Sequence, residues 1–149
     1  MVPTELTITR IINVPREKVF KAFTDEKLIA EWWGPKYMTS PDAQLDARVG
    51  GEMKVDMHDP QGIVYPCRGE YKEIDEPSKL VFVLNAIDKD GSFGIENLNT
   101  VTLEDMNGKT RLTLHVEVLR HKPEFEKNLG GMEMGWNQSL DKLADSFIT

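Results

Sequence analysis

The sequence predicts an α+β domain in which an antiparallel sheet is covered on one side by a long C-terminal helix. Three observations carry that reading. From about Thr39 to Leu119, turn signals recur between short runs that alternate apolar and polar residues, the pattern of an antiparallel meander. From Phe125 onward, Leu129, Met132, Trp136, Leu140, Leu143 and Phe147 recur at helical steps of three and four. Between the first strand and the meander lie two helical segments too short to connect parallel strands.

In chain order, Leu6, Ile8, Arg10 and Ile12 alternate with Thr7, Thr9, Ile11 and Asn13, a period-2 run that reads as a strand. Pro15 ends it and suits the first helical position, where its missing N–H is not needed. Val19, Phe20, Ala22 and Phe23 then form an apolar stripe. Thr24 or Asp25 is placed to cap a second short helix, with Leu28, Ile29, Trp32 and Trp33 on one face and Gly34-Pro35 as its stop.

Turns are predicted at Gly50-Gly51, Asp59-Pro60-Gln61-Gly62, Asp75-Glu76-Pro77-Ser78, Asp88-Lys89-Asp90-Gly91 and Asn107-Gly108. Asn-Gly suits a type I′ hairpin that pairs Met106 with Lys109. That register sets Val101 opposite Leu114 and Leu103 opposite Leu112 on one face, with Thr102 opposite Thr113 and Glu104 opposite Arg111 on the other. Met53, Val55 and Met57 alternate with Glu52, Lys54, Asp56 and His58 in the same way, so the sheet has one wet and one covered side. The covering helix is expected over Glu124 to Ile148, roughly 37 Å at 1.5 Å per residue. Gly130, Gly131 and Gly135 each cost about 1 kcal/mol against alanine there, which points to a kink, a late start or a close approach to another segment.

With 149 residues, 40% hydrophobic and 29% charged, residues 1–149 suit one domain with a single core. A net charge of -7 works against phosphate backbones and anionic lipid surfaces, so neither nucleic acid nor membrane is expected as a partner. Lone Cys67 rules out an internal disulfide and suits a reducing compartment. The polar start Met1-Val2-Pro3-Thr4-Glu5 carries no targeting signal, so a cytoplasmic location is expected. No cofactor or metal is expected, because Asp56, His58 and Asp59 lack converging ligands and His115 and His121 have no paired spacing with them. Cys67 beside Arg68 would need a histidine or acidic partner to act as a nucleophile, and Glu70, Glu73, Asp75 and Glu76 read as a hydrated edge and turn. No catalytic residue is identified.

Candidate ligand contacts come from the covered face. Trp33 reads either as core or as the mouth of a cavity. Met53, Val55 and Met57 on their strand, with Met132 and Met134 on the helix, either fill the core or form an adaptable lining. Trp136 and Leu140 lie one turn apart on the sheet-facing stripe and are the favoured walls, opposite Phe82 and Val101. Inward polar groups are more telling, because an unpaired one costs on the order of 1–3 kcal/mol when buried. Asn97 and Asn99 share the parity of Val101, and Tyr71 shares that of Gly69 if the strand has no bulge. These three would orient a ligand carbonyl or hydroxyl; alternatively, the two asparagines lie in a wetted loop after Gly94.

Thr7-Ile8-Thr9-Arg10, Val19-Phe20 through Trp32-Trp33-Gly34-Pro35, Gly50-Gly51, Gly69-Glu70-Tyr71, Lys109-Thr110-Arg111-Leu112 and Gly135-Trp136 through Leu143 together resemble the SRPBCC superfamily. More narrowly, they resemble its branch related to the C-terminal domain of the activator of the ninety-kilodalton heat-shock chaperone ATPase. The resemblance implies a helix-grip fold, a curved sheet of six or seven strands wrapped around the long helix, and an apolar cavity between them. It implies three kinds of role. The first is binding of a small hydrophobic molecule of the lipid, polyketide or aromatic class. The second is a cyclase- or hydrolase-type enzyme using the same cavity. The third is a chaperone-associated interaction domain in stress response, placed last because the separate N-terminal domain of the activator is not expected here. A chaperone, or a second copy pairing along a free strand edge, is the protein partner these roles leave open.

Overall fold

A seven-stranded antiparallel sheet forms the body of the computed structural model, which describes residues 4–88 and 90–148. The predicted turn residue Lys89 and the start of the chain, residues 1–3, lie outside the described residues. The chain runs β1 (Glu5–Ile12), α1 (Arg16–Thr24), α2 (Glu26–Ile29), β2 (Gln44–Leu45), β3 (Glu52–Lys54), β4 (Met57–His58), β5 (Val64–Tyr65) and β6 (Cys67–Asp75). It continues with β7 (Lys79–Ile87), β8 (Phe93–Met106), β9 (Lys109–His121), a 3-10 turn (Pro123–Phe125), α3 (Glu126–Gly130) and α4 (Met132–Asp145). The sheet order is β1-β9-β8-β7-β6-β3-β2, with β4 and β5 as a separate hairpin.

Local chemistry explains most boundaries. Pro15 has an extended backbone and caps α1 rather than being its first residue, so the helix begins at Arg16, one residue later than predicted. Asp25 is the cap of α2, where one carboxylate oxygen accepts from Lys27 N at 2.9 Å and Leu28 N at 3.2 Å. Asn107 and Gly108, at φ 57° and 90°, turn β8 into β9. All five predicted pairs from Met106–Lys109 to Val101–Leu114 are present.

Three expectations are corrected. The long terminal helix is interrupted: Gly131 closes α3 and opens α4, leaving α4 with 14 residues and a length of about 21 Å. Before the break, the Phe125 ring packs against Gly94 of β8, where an added Cβ would collide with it. Asn97 and Asn99 lie within β8, not in a wetted loop, and Asn99 is fully buried. Asp56 follows the end of β3 and is buried, because its carboxylate accepts from Cys67 N at 3.0 Å and pairs with Arg68. No helix among the described residues is long and apolar enough to cross a membrane.

Between sheet and helices, the core joins Val19, Phe20 and Phe23 of α1, Leu112, Leu114 and Val116 of β9, and Leu140 and Leu143 of α4. The predicted alternation therefore delivers one apolar face to one core, and the site lies within it.

Candidate functional site

Three aromatic side chains meet where the sheet, the end of α2 and α4 converge. Trp33 comes from the turn after α2, where its N–H donates to Ile29 O at 2.9 Å and Gly34, at φ 102°, redirects the chain. Phe82 comes from the inner face of β7 and Trp136 from the sheet-facing side of α4. Trp33 lies edge-to-face with Trp136 at 5.4 Å and tilted against Phe82 at 6.3 Å between centroids. Trp32 continues the row to Phe23, and its Nε1 donates to Ala22 O at 2.9 Å, making it a core residue.

Contacts that the sequence does not mark hold α4 over this row. Lys142 Nζ donates to the main-chain oxygens of Gly34 at 3.0 Å and Met38 at 2.9 Å, with Pro35 O at 3.5 Å. Desolvation lowers its pKa below the usual lysine value. Lys36 N donates to Gln138 Oε1 at 3.1 Å, and Gly135 comes so close that an added Cβ would lie 3.4 Å from Pro35 Cγ. Along the other flank, Arg10 of β1 donates to Asp141 at 2.7 Å and to Asn137 Oδ1 at 2.9 Å.

Asn99 is the unusual member of the inner face. It pairs across the sheet with Phe82 and Val116 and has 0% exposure. Its Nδ2 donates to Phe82 O at 3.3 Å and to Asn97 Oδ1 at 2.6 Å. Its Oδ1 is buried without a hydrogen-bond partner, the single such side-chain atom among the described residues. Other buried polar side chains are satisfied: Tyr71 OH donates to Phe23 O at 3.1 Å, Ser40 to Trp33 O at 3.3 Å and Thr110 to Val14 O at 2.8 Å.

Trp33, Phe82, Trp136 and Asn99 are thus grouped within the helix-covered interior, with Asn97 half-buried beside Asn99. Met53, Val55, Val101 and Leu140 are buried in the surrounding core, while Met57 and Met132 are half-buried at its margin. Tyr71 is inward as predicted, but its hydroxyl is engaged by α1. Met134 is 66% exposed and lies outside the interior. The role of Lys142 was not foreseen, since its partners are carbonyl oxygens rather than complementary charges, whereas a close approach at Gly135 is one of the three expectations for the helix glycines and its partner is the Pro35 ring.

Trp33 and Phe82 are buried and Trp136 is half-buried, so the three rings pack against one another where the resemblance implies a cavity. A groove of about 540 Å³ lies instead on the outer face, between Arg68, Lys72, Val83, Glu96 and Leu119. Burial pushes the Cys67 thiol up to about 12, with Asp56 adding to the rise, and burial also raises the Tyr71 phenol. Neither supplies an anionic nucleophile near neutral pH.

Residues 13–147 match the model of a family described as activator of Hsp90 ATPase homolog 1-like protein. The chain belongs to this family. Among solved structures, the AHSA1 protein of Silicibacter pomeroyi is 28% identical with a TM-score of 0.79, covering 95% of this chain and 96% of that one. A protein of Chromobacterium violaceum is 25% identical with a TM-score of 0.80, covering 97% and 96%. One from Mesorhizobium loti is 26% identical with a TM-score of 0.73, covering 95% and 94%. No curated protein matches the chain. The helix-grip fold of this AHSA1-like domain is therefore shared along nearly its whole length.

Proposed function

We propose that this AHSA1-like domain binds a small apolar molecule between the inner face of the sheet and α4, at Trp33, Phe82, Asn99 and Trp136. The observation behind this reading is the unpartnered Asn99 oxygen in an aromatic and aliphatic interior. Leaving such an acceptor unsatisfied costs on the order of 1–3 kcal/mol, which a guest in the same space would recover. Other members of the fold hold hydrophobic ligands between the same two layers. Because the three rings pack against one another, uptake involves displacement of the half-buried Trp136 and Met132, with the break at Gly130-Gly131 as the pivot. A cytoplasmic setting accords with Cys67 remaining a free thiol.

Titration of the native protein with a panel of small aromatic probes, read by tryptophan fluorescence and native mass spectrometry, tests the reading. Saturable one-to-one uptake that Trp136→Arg abolishes is the expected result. No uptake, or uptake indifferent to that substitution, rejects it.

The family description favours one second reading, association with a chaperone. Ile63, Val64 and Tyr65, exposed at 53%, 45% and 43% around β5, are the surface it would use. Stimulation of an Hsp90-type ATPase that is lost when these three become serine would support it. A cyclase or hydrolase role draws no support from Cys67 or Tyr71, both held protonated.

A further inference from the structure

We infer that the molecule this site takes is uncharged and presents a hydrogen-bond donor, a hydroxyl or amine on an aromatic or similarly flat body, to Asn99 Oδ1. The inference rests on the proposed interior site and specifies its ligand class. It follows from which end of the amide is left over. Phe82 O is a main-chain carbonyl and only accepts, so the Asn99 group 3.3 Å from it is the NH2. The same NH2 donates to Asn97 Oδ1 at 2.6 Å, leaving the Asn99 oxygen buried and open. An acceptor rewards a donor: a ketone, ether or ester placed there would set oxygen against oxygen, and a hydrocarbon would leave the oxygen dry.

Charge is disfavoured by the apolar lining and by the engagement of the nearby ionised groups. Asp56 is the one buried ionisable carboxylate among the described residues, and Arg68 and Cys67 N already satisfy it. Lys142, the cation of α4 nearest in chain to Leu140 and Leu143, directs its ammonium to the carbonyls of Gly34 and Met38. A carboxylate or phosphate brought inside would lose its hydration, and Lys142 already commits its N–H donors to the oxygens of Gly34, Pro35 and Met38. Trp33, Phe82 and Trp136 present edges and faces suited to a flat ring.

Three probes of nearly one size separate the alternatives: phenol carries a donor, anisole only an acceptor, and toluene neither. Binding of each to the intact domain is measured by calorimetry and tryptophan fluorescence. Phenol is expected to bind about tenfold tighter than anisole or toluene, the ratio of one net hydrogen bond to a buried acceptor. Asn99→Leu is expected to erase that preference, because it removes the acceptor, although it also takes the donor from Asn97 Oδ1 and so is judged on the probe ratio rather than on stability. Equal binding of all three probes overturns the donor requirement while leaving an apolar binding site standing. Binding of none overturns the site itself. A crystal of the phenol-soaked protein with a fixed water on Asn99 Oδ1 and phenol elsewhere also overturns the inference.

Discussion

Lys142 illustrates how a single side chain sets the distance between two parts of this fold. Its ammonium gathers main-chain carbonyls of the Gly34–Met38 turn, so the charge fastens α4 to the segment that carries Trp33. Lys142→Met keeps the stem and removes the donors. It is expected to lower stability by about 1–2 kcal/mol in urea unfolding and to weaken the near-ultraviolet circular dichroism of the Trp33–Trp136 pair. An unchanged tryptophan signal would show that packing alone places the turn. Cys67 makes the converse point, since its thiol is chemically silent through burial. A thiol reagent at pH 8 is expected to leave the native protein unmodified and to label it fully in denaturant, given a pKa raised to about 12. Rapid labelling of the native state would contradict its position in the core.

The glycines distinguish backbone effects from packing effects at the level of whole elements. Gly108 has open space around it, yet φ is 90°, so Gly108→Ala is expected to cost about 1–2 kcal/mol by strain in the β8–β9 turn alone. Gly130, equally unobstructed but helical, behaves oppositely: Gly130→Ala is expected to stabilise by about 0.5–1 kcal/mol. Thermal melts of the two variants should move in opposite directions; movement in the same direction would refute the assignment. These elements also show what was legible beforehand. The β8–β9 register could be read because Asn107-Gly108 and the alternation of Val101 and Leu103 demand the same pairing. The break between α3 and α4 could not be placed, because helix propensity states the penalty for Gly130, Gly131 and Gly135 but not which tertiary contact decides among them. Strand parity offers an inward Asn99 beside the alternative of a wetted loop, and β8 takes the first. The direction of its amide depends on Phe82 O across the sheet, a partner that β8 alone does not reveal. Lys142 was illegible for a related reason, since every residue carries a carbonyl and sequence does not mark the three that converge.

For the whole molecule, the protonated core predicts an alkaline limit to stability. Burial raises the Cys67 thiol from its ordinary 9.0 to about 12 in the folded protein, and burial raises the Tyr71 phenol in the same sense. Over that interval the folded state holds protons that the unfolded state releases, so linkage lowers stability as pH rises above about 9. The contribution is fully present below that pH, and growing negative charge on a chain already at -7 adds repulsion in the same direction. Urea midpoints measured between pH 7 and pH 11 are expected to hold level and then fall. Cys67→Ala separates the two causes, because it removes the thiol term while leaving the surface charge in place. Its midpoint should start slightly lower, from the small loss of packing, and decline less steeply than that of the parent protein. Parallel curves would mean that the thiol ionises as easily in the native protein as in the unfolded chain. That would require water to reach Cys67, between Asp56 and the inner face of the sheet, and the layers enclosing Asn99 would then be less tightly closed than their packing shows.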